Sequence, residues 1–392
     1  GGVFLNKPSF WKGWIIGLLA GVLLVGCFLG VLVAFDVGHL GQAAEVLFKM
    51  ERFSYKDVSF SNVVDGVMEG MVASLDDPYS TYLDSEEYED LEQHISGSYG
   101  GIGLLITESE ANGLEVVSPF KGTPAYRAGI KSGDIIVKIE GKETAGLELE
   151  EAANLMKGDP GTKLTLTVHP KESAATKDYV IEREEIHIPS VQGEMLPETK
   201  IAYINLMMFS QQTDEDLQAV FKKIGINDAE GIILDLRDNP GGDLGAAVDV
   251  AGYFIPQGPA VHIVSKAGTD TLETKNNYLN KKLVVLVNGG SASASEIVAG
   301  AIKDNASGKL VGTTTFGKGL VQSVFEISDK SALKLTTAKY LTPAKKDIHK
   351  KGIVPDEVVK MDADLSREVL LYAPDLERDL QLQKAVSLLK GN

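Results

Sequence analysis

Apolar residues recur along this chain with several different spacings, and each spacing predicts a different kind of element. From Trp14 to Phe35 the run WIIGLLAGVLLVGCFLGVLVAF has 22 residues and no charge. As a helix rising roughly 1.5 Å per residue, it is long enough to cross a hydrocarbon core about 30 Å thick. From 40 to 95 the pattern is amphipathic and predicts helix. Val63, Val64, Val67, Met68 and Met71 share one apolar face until Asp76-Asp77-Pro78 breaks the run. Between 96 and 185 the period shortens. The runs GIGLLIT, GLEVVS, DIIVKIEG, KLTLTVH and DYVIERE read as strands between turn residues, with one helical stretch from about Glu148 to Met156. From 186 to 360 apolar strands (KIAYINL, GIILDLR, KLVVLVN) alternate with helical stretches, the order of an α/β core. A last helical pattern, LERDLQLQKAVSLLK, follows. The expected division is therefore 1–13 a cytoplasmic N-terminus, 14–35 a transmembrane helix and 36–95 a helical region. A mainly-β unit follows at 96–185, then an α/β core at 186–370 and a terminal helix at 371–392.

Charge sharpens this picture at the N-terminal end. Lys7 and Lys12 precede the apolar run and Asp36 closes it, which keeps the N-terminus in the cytoplasm and exports everything after residue 36. A cleaved signal peptide is the first rival reading, but the run is long and no small-x-small site follows it. A lipoprotein modified at Cys27 is the second, since Leu24-Val25-Gly26-Cys27 resembles a lipobox. The apolar residues continuing to Phe35 argue for a retained anchor instead. Cys27 is also the only cysteine, so no intrachain disulfide can form. The 392 residues suit two or three folded units, and 44% hydrophobic content supplies real cores. With 55 acidic against 38 basic residues, the net charge of −17 argues against a nucleic-acid partner. The six histidines form no HExxH or paired-ligand pattern, and no GxxxxGK[ST] loop occurs, so neither a metal nor another cofactor is expected.

Two segments carry candidate chemistry. KLVVLVNGGSASASEIVAGAIKD runs from a buried strand through a Gly-Ser turn into a helix. Such a junction can hold a nucleophile exposed, with helix N-terminal N–H groups ready to stabilise an oxyanion. Ser291, Ser293 and Ser295 are all candidates on that reading, and a serine there can equally cap the helix. The second segment, Thr315-Phe316-Gly317-Lys318-Gly319-Leu320-Val321-Gln322, sets a lone lysine between glycines in apolar surroundings. A serine hydroxyl needs a base, and lysine serves only when neutral. Lowering its pKa from about 10.4 towards 7 takes roughly 4–5 kcal/mol, which burial can supply by penalising the charged form.

Tyr99-Gly100-Gly101-Ile102-Gly103, followed by GTPAYRAGIKSGDIIVKIEGK, resembles a PDZ domain, which adds a peptide C-terminus to a sheet edge. Gly100, Gly101, Ile102 and Gly103 are then the expected peptide-binding loop. SASASE followed by FGKGxxQ resembles the C-terminal processing peptidases, serine proteases with a Ser-Lys dyad. In that family the serine precedes the lysine by 25 positions, as Ser293 does Lys318, and a supporting glutamine lies four further on, at Gln322. DPYSTYLDSEEYEDL, DLRDNPGG and GIVPDEVV extend the resemblance from about residue 45 to 385. It implies Ser293 as nucleophile, Lys318 as base and Gln322 as the group orienting the amine. The expected oxyanion donors are the backbone N–H of Ala294 and that of Gly241 or Gly242. The family pattern also places an Asp at Asp304, although about 16 Å of helical rise separates it from Ser293.

The fold expected is an α/β protease core with an inserted mainly-β PDZ domain behind one N-terminal transmembrane helix. The function expected is a membrane-anchored, extracytoplasmic endopeptidase acting on proteins with apolar C-termini. The resemblance also implies a homodimer, while an activating partner is not legible in the chain. A PDZ scaffold with a degenerate protease core is the alternative.

Overall fold

A computed structural model describes Leu23 and residues 39–109, 113–173, 175–327, 330–362 and 374–391. The expected span at 14–35 and the lipobox cysteine lie outside the described residues, apart from Leu23. Among the described residues, no helix is long and apolar enough to cross a membrane. The chain divides into two compact units after Asp76. In the first, helices Leu40–Phe53 and Phe60–Ala73 carry the predicted amphipathic pattern, with Val64, Val67 and Met71 exposed.

Helix was expected as far as residue 95, but the second unit opens differently. The Asp77 carboxylate accepts the Tyr79 N–H at 3.1 Å and the Ser80 hydroxyl at 2.6 Å, making a turn. Strand Thr81–Leu83 follows and pairs antiparallel with Ala332–Leu341, which ties DPYSTYL to a strand some 250 residues along the chain. Helix only resumes at Ser85–Ser96, where Asp84 and Glu87 form a reciprocal capping box.

The chain enters and leaves the β-rich part side by side, through a ribbon in which Ser98–Gly101 pairs antiparallel with Glu184–His187. Between them, strands Leu104–Ser109, Gly113–Pro119, Ile135–Ile139, Lys163–His169 and Lys177–Glu182 form an antiparallel sheet in that order. Their alternating side chains place Leu114, Val116, Ile136, Leu164, Leu166 and Val168 in a closed core. Helix Leu149–Met156 packs on this core through Ala152 and Met156.

The α/β part is a six-stranded sheet in the order Val191–Met195, Ile201–Leu206, Gly231–Asp235, Lys282–Val287, Lys309–Gly312, Glu357–Val358. Only the first pair is antiparallel. Gly231–Asp235 is buried at every position, as a strand covered on both faces must be. One face packs against helices Thr213–Ile224, Leu244–Phe254 and Ala294–Asp304. The other packs against helix Leu380–Lys390, which is capped by Asp379 and begins four residues later than the pattern suggested. The buried Arg237 guanidinium ties that helix down, bonding Asp235, Asp379 and the Gln381 side chain. A second sheet joins Thr81–Leu83, Leu320–Glu326, Ala332–Leu341, Pro259–Ser265 and Gly268–Glu273.

Candidate active site

The parallel strand Lys282–Val287 ends at Asn288, and a tight turn delivers the chain to helix Ala294–Asp304. Ser293 is the residue at the bend. Its φ of 54° and ψ of −114° lie outside the basins an L-residue prefers, a strain of about 1–3 kcal/mol that neighbours must hold in place. They do so from both sides. The Ser293 N–H donates to Glu296 Oε2 at 3.1 Å, and the Ser293 carbonyl accepts the Tyr340 hydroxyl at 3.0 Å. Burial pushes the Tyr340 phenol well above its ordinary pKa, so it keeps the proton it donates.

The flanking serines face the other way and are fully buried. Ser291 Oγ donates to the Leu236 carbonyl at 2.7 Å, and Ser295 Oγ to the Asn239 carbonyl at 2.9 Å. Neither caps the helix, because Ser293 occupies that position. They stitch the bend to the loop that leaves strand Gly231–Asp235. Within that loop Asn239 donates to the Leu206 carbonyl and accepts the Gly241 N–H at 2.9 Å. Gly241 is therefore already spent as a donor. The N–H groups of Gly242 and Ala294 make no hydrogen bond among the described residues. Gly242 has φ 135°, and a Cβ there would lie 1.9 Å from the Phe209 carbonyl oxygen, so only glycine fits.

Lys318 approaches from the turn after Thr315. Its amine donates to Gln322 Oε1 at 2.9 Å, and the Gln322 amide donates to the Tyr79 carbonyl at 3.2 Å. The Tyr79 ring lies 5.3 Å from the amine. Burial, helped by the nearby Lys334 ammonium, holds the Lys318 pKa below the ordinary lysine range. Ser293, Ala294, Gly242, Lys318, Gln322 and Tyr340 all line one cavity of about 480 Å³. Lys318 and Tyr79 also border a second hollow of about 560 Å³, with Asp238, Gly290 and Phe316 on its walls. Pro240 and Lys318 border both hollows.

Glu296, absent from the sequence-based candidates, joins the two segments. It is completely buried, and its carboxylate accepts from Thr315 Oγ1 and the N–H groups of Gly317, Lys318 and Ser293. Its sequence signal was the capping-box spacing Ser293-x-x-Glu296. Tyr79 and Tyr340 had no local signal. Asp304 sits at the far end of the helix, bonded to the Ala344 N–H and the Lys346 amine and not to Ser293 or Lys318. Burial pushes its carboxyl up, but the bonds from Lys346, Thr342 and Ala344 outweigh that and hold it below the usual carboxylate range.

The predicted peptide loop divides in two. Ile102 and Gly103 line a groove of about 90 Å³ with Leu104, Ile106, Ala153 and Met156. Gly100 and Gly101 lie instead in the entry ribbon, paired with Glu185 and Glu184. Lys157 borders the same groove, and its amine pairs with Asp90 at 3.6 Å. Asp90 belongs to helix Ser85–Ser96, whose Leu91, His94 and Ile95 roof the Ser293 cavity.

Residues 200–359 match Peptidase family S41, residues 115–169 match a PDZ domain, and residues 38–87 match the activating protease CtpB N-terminal domain. The carboxyl-terminal-processing protease of Synechocystis sp. is 39% identical over 83% of this chain and 76% of its own length. The carboxy-terminal-processing protease of Bartonella bacilliformis is 36% identical over 88% of this chain and 87% of its own. Among solved structures, the photosystem II D1 C-terminal processing protease is 32% identical, covering 86% of this chain and 90% of that one, with a TM-score of 0.48. The chain belongs to peptidase family S41 and is a C-terminal processing serine protease carrying a PDZ domain.

Proposed function

We propose that Ser293 and Lys318 form the catalytic dyad. The observation that carries this is a strained serine and a lysine of lowered pKa opening on one cavity, while both neighbouring serines are buried and committed elsewhere. The neutral Lys318 amine takes the Ser293 proton as Oγ attacks the scissile carbonyl carbon. The resulting oxyanion is held by the Gly242 and Ala294 N–H groups. Lys318 then gives its proton to the departing amine, leaving an acyl-enzyme. Water, deprotonated by the same amine, attacks that ester and regenerates Ser293. Gln322 aims the amine without adding a competing charge. Among the described residues no hydrogen bond joins Lys318 to the Ser293 hydroxyl, and in this reading that contact is completed when substrate binds.

The PDZ groove in this reading captures apolar C-terminal tails by strand addition at Leu104–Ser109, with the terminal carboxylate near Ile102 and Gly103. Tail binding also gates the protease. The Lys157–Asp90 pair connects the groove to the helix that roofs the Ser293 cavity, which gives a ligand a way to shift that helix. A groove-filling Ala153→Trp variant tests this better than a change at Gly103, where φ is 75° and a Cβ would lie 2.5 Å from Thr123. Purified protein should cleave a tail-bearing substrate without ATP, and Ala153→Trp should change the turnover of short peptides that never reach the groove. If only long, tail-bearing substrates slow, the groove tethers and does not gate. If nothing is cleaved under any condition, the degenerate-scaffold reading takes over.

The uncharged run at 14–35, with its lysines on one side, supports a single-pass anchor and a catalytic region outside the cytoplasm. Native protein is then expected in the membrane fraction at a mass that includes this run. Recovery of a form beginning at lipid-modified Cys27 overturns it.

A further inference from the structure

Resting on the dyad reading above, we propose that Lys334 is a specificity residue of the catalytic cleft, its ammonium holding a carboxylate carried by the substrate beside the scissile bond. Sheet register places it there. In the antiparallel pair, Gln322 faces Thr336 and Val324 faces Lys334, while Thr81 flanks Lys334 on the other side. Side chains alternate along a strand, so Lys334 shares a face with Gln322, the partner of the catalytic amine. Lys334 lines the same cavity as Ser293 and Lys318.

Charge bookkeeping inside that cavity leaves Lys334 uncompensated. Most of the lining is apolar, including Leu91, Leu244, Ile297 and Val324. The one carboxylate among the lining residues, Asp243, is engaged as the cap of helix Leu244–Phe254, accepting the Ala246 N–H at 2.7 Å. Lys334 itself is half-buried and has no ion-pair partner among the described residues. A lysine on a sheet face ordinarily runs its head out to water. Lys334 instead lines a cleft beside a second lysine, which leaves its charge available to an anion brought into that cleft. The bound substrate is the source of that anion, either as an acidic side chain or as the C-terminus of a peptide too short to reach the PDZ groove.

The same ammonium repels the proton on Lys318, adding to the effect of burial. A substrate carboxylate at Lys334 cancels that repulsion, favours the charged form of Lys318 and so raises its pKa. Other groups near Lys318 stay fixed across the comparison. They are Tyr79 over the amine, His349 edge-on to Tyr79, Glu296 beneath the Lys318 N–H, and His94, Asp243 and Tyr340 on the cavity wall.

The test uses internally quenched peptides identical except for Glu or Gln at one position flanking the cleaved bond, each made as free acid and as C-terminal amide. The full-length protein is expected to prefer the carboxylate-bearing partner about fivefold in kcat/KM, the size of a modest ion pair. Lys334→Met should abolish the preference, Lys334→Glu should transfer it to a Lys-bearing peptide, and Lys334→Arg should keep it. The acid limb of kcat should move to higher pH in Lys334→Met, and in the parent protein with the acidic peptide. A Glu/Gln preference locates the carboxylate on a side chain, and an acid/amide preference locates it at the terminus. Unchanged ratios and an unchanged acid limb in Lys334→Met, with its melting temperature intact, overturn the proposal. Ser293→Ala serves as the control: undiminished cleavage by that variant defeats the dyad reading itself, whatever Lys334 does.

Discussion

Ser293→Ala and Lys318→Ala are each expected to lower kcat by about 10⁴-fold or more while leaving the fold intact, and the double variant should be little worse than either single one. Residues acting as one unit lose their joint effect when either is removed. Neither side chain holds the fold together. The strained bend at Ser293 is fixed through its backbone N–H and carbonyl, which alanine keeps. Among the described residues the Lys318 amine makes one hydrogen bond, to the Gln322 side chain. Lys318→Arg should be as inactive as Lys318→Ala, because a guanidinium does not deprotonate in proteins. The pH dependence has a definite sign. Burial first, and the Lys334 charge second, depress the Lys318 pKa, so the neutral amine gains population as pH rises through that lowered value. The rate should climb over the same interval and then level. A rate that falls as pH rises there, or a Lys318→Ala enzyme that retains activity, removes lysine as the base. An uncharged substrate covering the cleft strips more water from the amine and moves it further in the same direction, whereas one carrying a carboxylate to Lys334 moves it back.

How far the sequence reveals this site depends on how local each signal is. The strand-turn-helix at 282–304 was legible because a buried apolar run ends in small residues and an apolar helix follows, all within one stretch. The alternation in KLTLTVH and the continuous apolar GIILD were legible for the same reason. Strand Thr81–Leu83 was not. It has three residues, and its partner lies some 250 positions away in Ala332–Leu341, so no window on the chain contains the evidence for it. Tyr79 and Tyr340 carry no local signal for the same reason: Tyr79 meets Gln322 and Lys318 through its carbonyl and ring, and Tyr340 meets Ser293 through its hydroxyl, all far apart in sequence. That the Gly241 N–H is claimed by Asn239 while the Gly242 N–H is not, among the described residues, is a detail of side-chain geometry that spacing does not encode.

Glu296 should prove the most consequential residue outside the dyad. Four donors and no competing acceptor converge on its buried carboxylate, two of them from the turn that carries Lys318 and one from Ser293 itself. Only a carboxylate accepts on both oxygens without presenting a hydrogen of its own. In Glu296→Gln the amide NH₂ meets a pair of these donors head-on, so either the Ser293 bend or the Lys318 turn must shift. Glu296→Ala leaves all four donors without their partner in a buried site, each costing about 1–3 kcal/mol before relaxation or water entry offsets part of it. The expected results are a loss of about 10²–10³-fold in kcat for Glu296→Gln and a comparable loss plus a markedly lower melting temperature for Glu296→Ala. KM should change little in Glu296→Gln, because the carboxylate does not line the Ser293 cavity and touches no substrate. Thr315→Val, which removes one donor of the four, should fall between the parent protein and Glu296→Gln. A misplacement of about 1 Å between nucleophile and base is enough to produce losses of this size. A Glu296→Gln enzyme with the parent's kcat would show that Ser293 and Lys318 hold their geometry without the carboxylate that now bridges them.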